Sequence, residues 1–171
     1  SYILNDQDEA IPFSRIQFTA EWREYQGLPW GKNHVLALKL ASGVSVGDTQ
    51  RYGSFRLGGS FGESGYYTLP DEWRALRGFD PASVSGDGYY LGAVEYRLPL
   101  WWADIGYKTY PVFLRYVSAS TFIDFGNAYD DINDANTLPL VGMGAEIRAS
   151  MVVSWGAPFS VRAGYAFGLN G

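Results

Sequence analysis

The sequence predicts an all-β protein, an antiparallel sheet of about six long strands with one apolar and one polar face. Apolar and polar residues alternate with a period of two over stretches of ten residues or more. Aromatic residues make up 17% of the chain and glycines number 21, a composition suited to β-structure whose rings lie where apolar and aqueous phases meet. No run approaches the ~18 apolar residues of a membrane helix, and no heptads, low-complexity tracts or short repeats occur.

The elements follow in order. In "FSRIQFTAEWR", Phe13 to Arg23, the residues Ile16, Phe18, Ala20 and Trp22 share one parity, and Gln17, Thr19, Glu21 and Arg23 the other. After the turn-like "QGLPWGKN", "HVLALKL" sets Leu36, Leu38 and Leu40 against Ala37, Lys39 and Ala41. Gly88 to Leu98 alternates Tyr90, Val94 and Tyr96 with Leu91, Ala93, Glu95 and Arg97. "PLWWADIGYKTYP" reads as a connection, and "VFLRYVSASTFIDFG" as the next strand, with Val117, Ala119, Ile123 and Phe125 opposing Ser118, Ser120, Phe122 and Asp124. The acidic "NAYDDINDANTLP" reads as an exposed loop. Leu140 to Val153 and "PFSVRAGYAFG" supply the last two strands, with Glu146, Arg148 and Arg162 on the polar parity.

Alternation alone does not say which face is outside. A soluble sandwich packs its apolar faces together, whereas an outer-membrane barrel turns them to lipid and lines its lumen with the polar face. Three features favour the membrane. The strands match the ~9–11 residues that cross a bilayer at a tilt, against ~5–6 in soluble sheets. Trp22, Tyr25, Trp30, Trp101, Trp102, Tyr107 and Tyr110 cluster near strand ends, as an aromatic girdle would. Full charges recur on the polar parity opposite small residues, which a lumen tolerates.

Composition removes other classes. With 13 Lys+Arg against 18 Asp+Glu the net charge is −5, so no nucleic-acid partner is expected. Cysteine is absent and His34 is the one histidine, which removes disulfides, thiolate chemistry and most metal or acid/base chemistry; His34 reads as a surface or strand-end residue. Asp130, Asp131 and Asp134 lack EF-hand spacing and read as a solvated loop. Glu95 and Glu146 each have an arginine two residues on and read as salt-bridge partners, not a glycosidase pair. No cofactor, metal or catalytic residue is expected.

Four motifs in this order carry a resemblance: "FRLGG" (Phe55 to Gly59), "LRGF" (Leu76 to Phe79), "VEYRLP" (Val94 to Pro99) and "FIDFGNAY" (Phe122 to Tyr129). Together they resemble the C-terminal barrel of the bacterial surface antigen superfamily, which includes the BamA and TamA assembly factors and the two-partner secretion transporters. The resemblance runs through residues 13–170. It implies the C-terminal part of an outer-membrane barrel over 13–171, a preceding loop or extension over 1–12, and an extracellular loop at about 47–88 that folds back into the lumen. It implies that Arg77 at the loop tip pairs with Glu95 and Asp124, the two acids that parity already places on the polar face. Gly78 would permit the tight turn, and Phe79 would pack on Phe122 and wall glycines. The segment "SFGESGYYTLPDEWRA" between the first two motifs is longer than the family pattern, which leaves the path of the loop open.

Six strands fall short of the eight with which single-chain barrels begin, and an open sheet in lipid would leave unpaired backbone edges. The chain has neither an initiator Met nor a signal-peptide pattern, and reads as a mature or truncated piece. Partners are therefore expected to be the lipid bilayer, remaining strands from unseen parts of the same polypeptide or another chain, and a protein client or envelope subunits. The resemblance implies a non-enzymatic protein of the bacterial outer membrane that assists insertion or export of proteins. A passive barrel anchor in a larger envelope complex and a soluble β-barrel binding module stay open as alternatives.

Overall fold

The computed structural model describes residues 2–4, 10–12, 15–47, 55–59, 73–106, 110–130, 138–154 and 156–170. Near the N-terminus, β1 (Tyr2–Leu4) pairs antiparallel with β2 (Ala10–Pro12). Six long strands follow: β3 (Arg15–Gly27), β4 (Val35–Gly47), β8 (Gly88–Gly106), β9 (Val112–Tyr129), β10 (Leu140–Val153) and β11 (Ala157–Gly168). They form one antiparallel sheet in the order β11-β10-β9-β8-β4-β3. Every neighbour in space is thus a neighbour in sequence apart from the excursion between β4 and β8, as hairpin connections dictate. Among the described residues the sheet does not close, and β3 and β11 are its edges. The excursion carries its own small sheet of β5 (Phe55–Leu57), β6 (Trp73–Arg74) and β7 (Val84–Gly86), in the order β6-β5-β7.

Burial settles which face is outside. The apolar parity lies open, with Phe18 65%, Ile147 53% and Tyr165 75% exposed. The core lies instead on the small and charged parity, where Phe55, Leu57 and Leu76 of the excursion are fully buried against Ala41, Tyr89 and Leu91 of the wall. A soluble sandwich would show the reverse. The excursion is therefore folded onto the inner face, and the apolar face is left for lipid.

Two expectations are corrected. "PLWWADIG" is not a connection: β8 continues to Gly106. It does so through register shifts between Pro99 and Trp101 and between Trp102 and Ile105, which disrupt the period-two pattern. Pairing with β4 stops at Arg97, so Pro99 faces no β4 partner and its missing N–H costs no ladder bond on that side. Tyr25 does not belong to a lipid-facing girdle. It pairs with Ala37, which pairs with Glu95, and the Arg97 guanidinium lies 5.7 Å from its ring centroid on the inner face. Trp22, Trp30, Trp101, Trp102 and Tyr110 are exposed, while Tyr107 lies outside the described residues.

Candidate functional site

The inner wall is built in rows that cross the strands. One row runs Lys39, Ala93, Asp124, Gly142, Gly168, and the next Ala37, Glu95, Phe122, Gly144, Ala166. Neighbours in a row stand ~4.8 Å apart, so each row offers a carboxylate on β8 or β9, then small residues on β10 and β11. The loop tip lies across both rows.

Arg77 supplies the polar half of the contact. Its Nε donates to Asp124 Oδ2 at 2.7 Å and its Nη2 to Asp124 Oδ1 at 2.7 Å, a fork-to-fork pair. Its backbone N–H donates to the same Oδ2 at 3.2 Å, and Nη1 donates to Glu95 Oε2 at 3.1 Å. The guanidinium lies 3.5 Å from the centroid of the Phe122 ring, where the ring quadrupole attracts a cation. Asp124 is nearly closed off, its side chain 3% exposed. Burial works against the charge on Arg77, but hydrogen bonding and charge from Asp124, with Glu95 adding, outweigh it and hold the guanidinium above its ordinary range. No physiological pH discharges it.

The backbone supplies the other half. Gly78 has φ +97 and its α-carbon faces the Phe167 carbonyl so closely that a side chain has no room. The Arg77 carbonyl occupies the space a Cβ at Gly142 would need, and the Phe79 ring covers Gly168. Phe79 thus rests on the wall glycines Gly142 and Gly168, whereas Phe122 stacks on the Arg77 guanidinium. Gly59 N–H donates to the Phe79 carbonyl at 3.0 Å and Gly59 bridges to Leu76, so "FRLGG" braces "LRGF" from behind. Substituting Phe122 by leucine keeps an apolar wall but removes the ring. It is expected to weaken tip docking by about 0.5–2 kcal/mol, read as a lower thermal midpoint in detergent.

Further inward carboxylates are each shared by two arginines. Glu95 Oε1 accepts from Arg97 Nε at 2.7 Å, so Glu95 bridges the loop arginine and a wall arginine. Glu146 accepts from Arg148 at 3.3 Å and lies 3.9 Å from Arg162, placing an anion between two cations that face each other across β10 and β11. Parity exposes these residues in the sequence; the sharing of one carboxylate between two arginines needs the register. His34 stands immediately before β4, its Nδ1 2.5 Å from the Tyr96 hydroxyl. Asp130 accepts from Asp87 N–H at 3.2 Å, while Asp131 and Asp134, and most of "SFGESGYYTLPDEWRA" (residues 60–72), lie outside the described residues. Among the described residues no His, Cys, Asp and Glu group is placed to hold a metal ion.

Bilayer-length antiparallel strands, lipid-ready on one side and carrying an inward-folded loop on the other, define part of a transmembrane β-barrel. Residues 8–169 match the Omp85 superfamily domain, and the chain belongs to that superfamily. Its members are bacterial outer-membrane proteins, a family of non-enzymatic protein insertases and translocases. Comparison with curated proteins and with solved structures gives no match. The strand ends joined by short connections (Gly27 to Val35, Gly106 to Val112, Val153 to Ala157) share one end of the sheet, and those joined by long ones (Gly47 to Gly88, Tyr129 to Leu140) the other. In outer-membrane barrels the short turns face the periplasm and the long loops the outside.

Proposed function

We propose that this chain forms part of a bacterial outer-membrane barrel that assists the insertion or export of other proteins, with Arg77, Gly78, Phe79, Glu95, Phe122 and Asp124 acting as a latch that holds the loop in the lumen. The observation that carries the reading is the fork of Arg77 on Asp124, continued by the loop backbone seated on Gly142. A contact that joins a loop to four successive wall strands, β8 to β11, sets the wall's shape without doing chemistry. Client strands would add by backbone pairing to a weakly closed seam formed with strands beyond this chain. No catalytic step is proposed, because nothing in the site offers a nucleophile with a base.

One observation favours the rival reading of a passive anchor: Phe55, Leu57 and Leu76 are fully buried, so the loop is packed as firmly as a plug. A reconstitution assay separates the two. The intact protein in liposomes is expected to speed the folding of a urea-unfolded outer-membrane barrel, or to admit a secreted client to the vesicle interior, relative to empty liposomes. Neither effect, from protein shown to be inserted, would favour the anchor and overturn the proposal.

A further inference from the structure

On the lipid-facing side, Ala20, Ser42 and Tyr90 form one row across β3, β4 and β8, and Trp22, Leu40, Gly92 and Phe125 form the next. The outer end of the Phe125 ring covers Gly92, where a Cβ would collide with it. This is the aromatic covering of a strand glycine, and it keeps the ring from rising into the bilayer. Ala20 and Ser42 have side chains too short to rise either. The result is a low floor walled by Trp22, Leu40 and Tyr90, a groove of about 380 Å³.

We propose that this groove binds one acyl chain of an outer-leaflet lipid. It opens onto a face where Phe18, Val44, Val94 and Ile123 are exposed, and the side chains that line it from this face carry no charge; Glu21, on its border, has inward parity. Within a bilayer there is no hydrophobic gain in covering such a surface, so what selects an occupant is packing. A linear chain fits a trough between flat rings, and a void there would forfeit contacts on every wall. The leaflet follows from position. Tyr90 is two residues from the extracellular start of β8 at Gly88, and at ~3.3 Å per residue the groove lies in the outer half of a hydrophobic band ~25 Å tall. The Tyr90 phenol then stands at the level where aromatic girdles meet headgroups.

The inference depends on which face meets lipid and not on insertase activity, so the two stand or fall apart. Its test is native mass spectrometry of the intact protein after reconstitution in dioleoyl phosphatidylcholine vesicles and extraction in mild detergent. The wild type is expected to retain one phospholipid. Ser42→Leu, which fills the floor, should lose it, while Thr121→Leu, the same residue introduced elsewhere on this face, should keep it. Both variants should show wild-type heat-modifiable migration, as a check of folding. Absence of retained lipid in the wild type, equal retention by Ser42→Leu, equal loss in both variants, or a co-purifying protein in place of lipid would overturn the site.

Discussion

Arg77→Ala is expected to lower the stability of the folded barrel by about 3–5 kcal/mol, the cost of leaving a buried charge without its partner. The charge concerned is chiefly Asp124, whose side chain is 3% exposed and which accepts three of the loop's hydrogen bonds. Glu95 keeps Arg97 and should suffer less. Lysine should rescue only in part, because one ammonium cannot reproduce two parallel donors to Asp124 together with a third to Glu95. Combining Arg77→Ala with Asp124→Ala should cost far less than the sum of the two single changes, since the second removes the charge that the first strands. Simple additivity in thermal melts would sink the latch.

The loop should not leave the lumen when the latch is cut. Three fully buried apolar side chains, each worth about 1.5–3 kcal/mol, hold its base at Phe55, Leu57 and Leu76. Their sum, about 4.5–9 kcal/mol, matches or exceeds the latch's about 3–5 kcal/mol, so release is confined to the tip. The absence of cysteine makes a single introduced thiol a clean reporter. A thiol at Ala75, which lines the inner cavity, should react slowly in the parent and faster when Arg77→Ala is added. A thiol at Leu57 should stay protected in both.

Much of this arrangement is legible in the sequence because a period of two assigns every side chain to a face once one residue is placed. Glu95, Phe122 and Asp124 fall on one parity by counting alone, and the pairing register joins Glu95 to Phe122 directly. What parity does not contain is which face meets water; that came from the burial of Phe55 and Leu57 against Tyr89, a contact made by a distant segment. Counting fails where the count itself changes, as in β8 beyond Pro99, where two register shifts let a proline-broken aromatic run remain a strand. Composition near a strand end misleads in the same way at Tyr25, an aromatic whose parity turns it to the lumen. The wall glycines are visible as small inward residues, but their role as a seat for the loop backbone depends on how closely another chain segment approaches.

That seat yields the second large effect, because two known tendencies oppose each other at Gly142. In a strand interior, Gly→Ala ordinarily gains about 0.5–1 kcal/mol through the unfolded chain. At Gly142 the new methyl would meet the Arg77 carbonyl, with the Phe79 ring also near, and overpacking of that kind costs about 1–3 kcal/mol. The clash is with backbone that is itself fixed by the Arg77 N–H bond to Asp124, so neither side can yield without stretching the latch, and the cost should win. Gly142→Ala is therefore expected to lower the thermal midpoint and to speed labelling at the Ala75 thiol, as Arg77→Ala does. Gly27→Ala, at a strand end where nothing lies within 4 Å of the added methyl, should be neutral or stabilising. If Gly142→Ala behaves like Gly27→Ala, the loop tip does not rest on β10 in solution. If it instead destabilises without freeing the Ala75 thiol, the damage lies in the wall and the latch does not depend on that glycine.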